Sequence, residues 1–148
     1  MELWELVARE RIRDTLALYN WSGDALRIAE VVSAFCPDGT LEIKGREPIV
    51  GHDALAAFFG GFGAPAVEPP PGVRRIVRHN VTNLRFVEVT PERARTSAYF
   101  TVLTELGLDH YGRYRDTLVP VGDTWLLQHR FVSTDWRSPD STMAREDA

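Results

Sequence analysis

An α+β fold, with three N-terminal helices covering the concave face of a cone-shaped, strongly curved, mostly antiparallel sheet, is predicted by three features of the 148-residue sequence. Apolar residues recur at helical spacing only in the first half of the chain. The second half alternates over four long β-like stretches. The turn signals between those stretches are short, so successive strands pair as a meander and the helices must form a separate covering layer.

The first helix is expected over residues 2–21, where Leu3, Leu6, Val7, Ile12, Leu16 and Tyr19 form a stripe among Glu and Arg and Ser22-Gly23 provides a stop. Asp24 is a suitable N-cap for a second helix over 25–35, with Leu26, Ile28, Ala29, Val32 and Phe35 on one face. Pro37-Asp38-Gly39 reads as a turn and residues 40–44 as a short strand. A third helix starts near His52 or Asp53 and ends in Gly60, Gly61 and Gly63. Residues 64–72, with Pro65, Pro69, Pro70 and Pro71, read as a stiff extended loop within one domain. Strands are expected over 73–89, 93–105, 109–121 and 124–135, separated at Thr90-Pro91, Leu106-Gly107 and Gly122-Asp123. The length supports a single domain over 1–137, with 138–148 as a flexible tail.

Hydrophobic residues at 44% and charged residues at 26% match a globular chain, which excludes disorder as the organising state. The net charge of −4, with Arg74, Arg75 and Arg78 as the only basic cluster, argues against nucleic acid as a partner. Lys44 is the sole lysine, so imine chemistry has almost no foothold. Cys36 is the sole cysteine, which excludes internal disulfides and fits a small buried apolar role in a reducing compartment. With no long apolar run and no signal-peptide pattern, a cytoplasmic protein that does not contact membranes is expected. No glycine-rich loop opens a helix, because Gly60-Gly61-Phe62-Gly63 closes one. A nucleotide cofactor is therefore not indicated, and since His79, His110 and His129 form no His-x-His or His-x-x-x-His pair, no metal is expected either.

The chemistry-bearing candidates follow from parity. His79 shares a strand face with Val77 and Val81 while Arg78 and Asn80 point the other way, so it faces the apolar side. There it is either a satisfied core histidine or a general base, and a base needs a carboxylate to set its tautomer. Asp24, at the helix junction, is the candidate carboxylate besides being a cap, and Tyr19 can donate to a developing oxyanion or simply fill the core. His110 and Tyr114 flank Gly112 on one strand face, where glycine is expected to open space for a pocket. Arg130, sharing a face with Gln128 and Val132, either binds a substrate oxygen or sits in an ion pair.

Several of these segments resemble SnoaL-like proteins of the nuclear transport factor 2-like superfamily. They are Leu18-Tyr19-Asn20, Gly23-Asp24, Phe35-Cys36-Pro37-Asp38-Gly39, the stretch 48–59 with Gly51, His79-Asn80-Val81-Thr82-Asn83, Gly112-Arg113-Tyr114-Arg115-Asp116 and Gly122-Asp123-Thr124-Trp125. The nearest branch is the one containing scytalone dehydratase, hexachlorocyclohexane dehydrochlorinase and bile-acid dehydratase, whose members use a pocket His–Asp pair without metal or organic cofactor. The resemblance implies catalytic roles for His79, Asp24 and Tyr19. Phe100 and Val102 stand where two of these relatives carry a second polar group, so the leaving-group acid of those relatives is either missing here or supplied by His110 or Tyr114. Trp21, Phe58, Phe59, Phe62, Phe100, Val102, His110, Tyr114, Arg130 and Val132 are then expected to line an apolar site for a ring-bearing molecule.

Two functions follow: an acid–base enzyme (dehydratase, isomerase or cyclase), or a non-catalytic ligand-binding or subunit-interface protein in which the pair is only a buried contact. Leu127, His129 and Phe131, beside Arg113 and Arg115, are expected on the outer sheet face, where a second copy would cover them.

Overall fold

The computed structural model describes residues 1–62 and 69–143. In chain order these form α1 (Leu3–Asp24), α2 (Ile28–Ser33), β1 (Phe35–Ile43), β2 (Ile49–Val50), α3 (His52–Gly60), β3 (Val77–Val89), β4 (Ala94–Thr104), β5 (Gly107–Val121) and β6 (Thr124–Arg137). The strands make one sheet in the order β2-β1-β6-β5-β4-β3. Every pairing is antiparallel except that of β1 with β6, which is parallel.

The α+β class stands, but the cone-shaped, strongly curved sheet and the three N-terminal helices do not. β2 and β3 are the two edges and do not pair with each other, so the sheet is open. The reason lies in β2: a strand of two residues offers too few backbone groups to close onto a strand of thirteen. Only α1 and α2 precede the first strand, and α3 is inserted between β2 and β3.

Local signals were overridden at two places before the meander. Ser22-Gly23 does not stop the first helix, which continues through Asp24. It ends instead in a paired cap, Leu26 N–H to Gly23 O at 3.1 Å and Arg27 N–H to Ser22 O at 2.9 Å, with Leu26 at φ 56°. Glycine normally occupies that left-handed position, and a leucine there costs about 1–2 kcal/mol. The second helix consequently starts only at Ile28, after Arg27, and Asp24 caps nothing. Pro37-Asp38-Gly39 lies inside β1, where it forms an irregularity in the pairing with β6 between Phe35 and Thr40. Gly39 is required there, since a Cβ would come within 2.8 Å of Leu127 O. The third helix and the four long strands match expectation to within a few residues. Gly63 and residues 64–68 of the expected loop, and residues 144–148 of the expected tail, lie outside the described residues.

Ile12, Leu16, Val31, Phe35, Leu41, Leu55, Leu118 and Leu127 fill the space between helices and sheet. Burying each such side chain contributes about 1.5–3 kcal/mol. Thr15 ties α1 to the last strand by donating its hydroxyl to Trp125 O at 2.5 Å.

A bulge decides which residues of β6 face this core. Thr117 pairs with His129 but Leu118 pairs with Leu127, which leaves Gln128 unpaired in the ladder. Parity therefore reverses at Gln128, whose amide instead donates to Asp38 at 3.3 Å. Leu127 and Arg130 are both fully buried, so Leu127 belongs to the core and not to the outer face, and Gln128 does not share Arg130's side.

Candidate active site

β3 brings His79 to the end of α1. The His79 Nδ1–H donates to Asp24 Oδ1 at 2.5 Å, and the His79 backbone N–H donates to Asp24 Oδ2 at 2.9 Å. Both carboxylate oxygens are used on one residue, which fixes the ring's place and its tautomer. A carboxylate only accepts, so Nδ1 carries the hydrogen and Nε2 keeps a lone pair. The imidazole is about one-fifth exposed, so this lone pair sits at the boundary of the core. The turn that ends α1 immediately after Asp24 is the strained one at Leu26.

His110 follows from the register. His79 pairs with Val102 and Val102 pairs with His110, so the three lie side by side across β3, β4 and β5 on the helix-covered face. The His110 Nδ1–H donates to Asp109 Oδ2 at 2.6 Å, giving a second histidine–carboxylate pair. Asp109 also accepts from Ser141 Oγ at 2.7 Å and Thr142 N–H at 2.9 Å. Sequence reasoning missed Asp109 because simple alternation puts it on the face opposite His110; a register shift between Val102 and Leu103 relieves that parity.

Burial pushes the His110 imidazole below its ordinary value of 6.5, and Asp109 offsets this only in part. Protonation therefore favours the unfolded chain, and the stability present above pH 6.5 should fall away as the pH drops through the folded value. Asp109 adds a loss of the same sign only below pH 3.8: burial raises its pKa, but the bonds from Ser141, His110 and Thr142 outweigh burial and hold it low. Thermal unfolding between pH 7 and pH 5 checks the part due to His110: the midpoint should fall on acidification, and His110→Gln should flatten the fall. An unchanged slope in that variant would assign the effect elsewhere.

Arg130 is fully buried. Its Nε and Nη2 donate to the two oxygens of Asp116 at 2.8 and 2.9 Å. The guanidinium lies over the Tyr19 ring at 4.3 Å and the Tyr114 ring at 3.8 Å, while Nη1 is buried without a partner. Burial raises the pKa of both the Tyr19 and the Tyr114 hydroxyl, with Arg130 only partly opposing it. Both phenols therefore stay neutral and are available as hydrogen-bond donors.

The other expected residues divide into two groups. Phe100, Val102 and Tyr114 are in the core, with Phe100 stacked on Tyr114 at 4.6 Å. Phe59 is edge-on to Tyr19 at 5.9 Å and Phe58 continues the chain of rings to Phe62, while Val132 is packed against the core. Trp21 is 79% exposed and Phe62 48% exposed, so neither is enclosed. Gly112 does not open space: a Cβ there would meet Ser133 O at 2.0 Å and Phe100 Cζ at 2.9 Å, so the glycine permits close packing.

Two surface concavities lie on the opposite sheet face. One is bordered by Arg95, Arg115, His129 and Phe131, the other by Asn83, Tyr99 and Arg113. Neither is bordered by His79 or Asp24, a pair singled out by its chemistry. Among the described residues, no group of three or more His, Cys, Asp or Glu is placed to hold a metal ion. No helix among them is long and apolar enough to cross a membrane.

No curated protein matches the chain. Solved structures do. A candidate scytalone dehydratase from Novosphingobium aromaticivorans is 20% identical with a TM-score of 0.77, covering 95% of each chain. A Catenulispora acidiphila protein in complex with S-DNPA is 26% identical with a TM-score of 0.71, covering 86% of this chain and 92% of its own. ActVI-ORFA from Streptomyces coelicolor is 17% identical with a TM-score of 0.73, covering 86% and 96%. The sequence model of the SnoaL-like domain matches residues 4–131. The chain is thus a member of the SnoaL-like family.

Proposed function

We propose that the protein is an acid–base enzyme, a dehydratase, isomerase or cyclase, in which His79 abstracts an activated C–H proton from an apolar ring-bearing small molecule. The observation that carries this reading is the His79–Asp24 pair, with Nδ1–H on the carboxylate and Nε2 free of it. In the reaction the C–H bond breaks toward Nε2, and Asp24 stabilises the imidazolium that forms. Asp24 occupies an unfavourable place for a purely structural carboxylate, since the negative end of the α1 dipole opposes a charge there by about 0.3–1 kcal/mol. The fold shared with a candidate scytalone dehydratase supports the reaction class. Neither metal nor organic cofactor is required for such a step, as in the relatives the sequence resembles.

Proton abstraction leaves a mark even before the product is known. Ring compounds with a C–H next to a carbonyl, incubated in deuterium oxide with the full chain, should gain mass by exchange at that carbon. His79→Ala should remove the gain. Compounds that bind, by native mass spectrometry, yet never exchange would favour a ligand-binding protein without chemistry.

Assembly belongs to the same proposal. The outer face carries Val87 and Tyr99, each about half exposed, beside Arg113, Arg115 and Phe131. A second copy of the chain covers such a self-complementary mixed patch by two-fold pairing of the sheets. Light scattering at micromolar concentration should give a dimer mass, and Phe131→Glu should give a monomer that keeps its fold. A wild-type monomer would overturn the arrangement.

A further inference from the structure

His110 is the group left unused. Its Nδ1–H is committed to Asp109, and its Nε2 makes no hydrogen bond to any described residue. His79 and His110 are each one strand away from Val102 on the same face, which puts their Cα atoms about 9–10 Å apart. The fully buried Val102 lies between them, and the Phe100 ring is edge-on to His110 at 5.8 Å. Two imidazoles thus flank one apolar floor, each with its tautomer set by a carboxylate behind it.

The carboxylate behind His110 is itself held from the far end of the chain. Asp109 has a side chain only 2% exposed. After β6 the chain folds back on it: Ser138 N–H donates to Asp109 O at 2.8 Å, and Ser141 and Thr142 donate to the two carboxylate oxygens. Met143 then packs against the core. A carboxylate gripped by three donors stays ionised and cannot rotate, so His110 is kept in the Nδ1–H form. Burial and the nearby His79 both favour the neutral ring, and a neutral ring of this tautomer presents an acceptor.

We propose that His110 Nε2 holds a hydroxyl of the substrate across from His79, and that residues 138–143 keep it in that role through Asp109. The proposal deepens the acid–base reading and rests on it. It narrows the substrate to a ring compound that carries a hydrogen-bond donor, a hydroxyl, on the side opposite the C–H that His79 attacks. Asp109, Ser141 and Thr142 are positioning residues that act through His110.

Phenol and its methyl ether, anisole, separate the parts of this inference, because they share a ring and only phenol donates. In 15N spectra of the imidazoles of the full chain at pH 7, His110 should be the Nδ1–H tautomer. Phenol should move the Nε2 resonance of His110, and anisole should not. Ser141→Ala should leave the His79 tautomer alone, mix that of His110 and weaken phenol binding several-fold. Asp109→Asn should do the same more strongly. A phenol response at His79 alone would overturn the role of His110 and leave the acid–base reading standing, whereas no response at either ring would overturn both. Equal responses to phenol and anisole would remove hydroxyl recognition. An unaltered His110 in both variants would remove the part given to residues 138–143.

Discussion

Asp116→Ala will lower folding stability by about 3–5 kcal/mol, because it leaves the Arg130 guanidinium charged and unaccompanied in the core. Arg130 has no exposure, and its partner's side chain is 1% exposed, so water cannot replace the lost carboxylate. Nor can the arginine discharge itself, because a guanidinium keeps its proton in a protein even where burial works against the charge. The two flanking rings supply cation–π attraction of about 2 kcal/mol each, which does not satisfy the remaining N–H groups. Urea unfolding should therefore show a large drop in midpoint. The double variant Arg130→Met with Asp116→Leu should recover most of it, since a well-packed apolar pair removes the desolvation cost together with the attraction. A single Asp116→Ala variant as stable as the parent would show that the pair carries no such burden.

His79→Ala should leave the fold intact and reduce turnover by about a hundred- to ten-thousand-fold, the range that a positioned general base contributes. The side chain is about one-fifth exposed, and its removal empties no sealed cavity. Asp24→Asn should be similarly damaging for a different reason. An amide donates to Nδ1, which drives the hydrogen to Nε2 and turns the base's lone pair away from the substrate. Deuterium exchange of the ring compound measures both losses, and circular dichroism checks that the fold persists. Wild-type exchange in Asp24→Asn would remove the pair from the mechanism.

What was legible in the chain depended on the range of the signal. The periodicities of α1, α3 and β3 to β6 are local and survived, as did the inward placement of His79 between Val77 and Val81. The pairing of His79 with Asp24 could be anticipated only from the place of Asp24 at the helix junction and from family likeness, since nothing local joins two residues 55 positions apart. Asp24 also misled, because an aspartate before an apolar run resembles a cap until a tertiary partner takes both its oxygens. Parity counting failed wherever a ladder slips, which hid Asp109 behind His110 and exchanged Leu127 for Gln128. The open sheet could not be read at all, because β2 is two residues long and β1 finds its partner at the opposite end of the chain.

That last pairing governs the order in which the molecule can be assembled. β6 leaves the ribosome after the other five described strands, yet it stands between β1 and β5 in the sheet. Until it arrives, β1 has only β2 beside it, Thr15 lacks Trp125 to hold α1 down, and Arg130 is not there to neutralise Asp116. The nascent chain therefore carries a β3–β4–β5 meander with one bare inner edge and a detached helical layer, which is the condition that invites strand-to-strand aggregation. Closing the loop between β1 and β6 is an entropic step that comes late and is rewarded all at once, so folding should be slow and sharply cooperative, with the last fourteen-residue strand as its trigger.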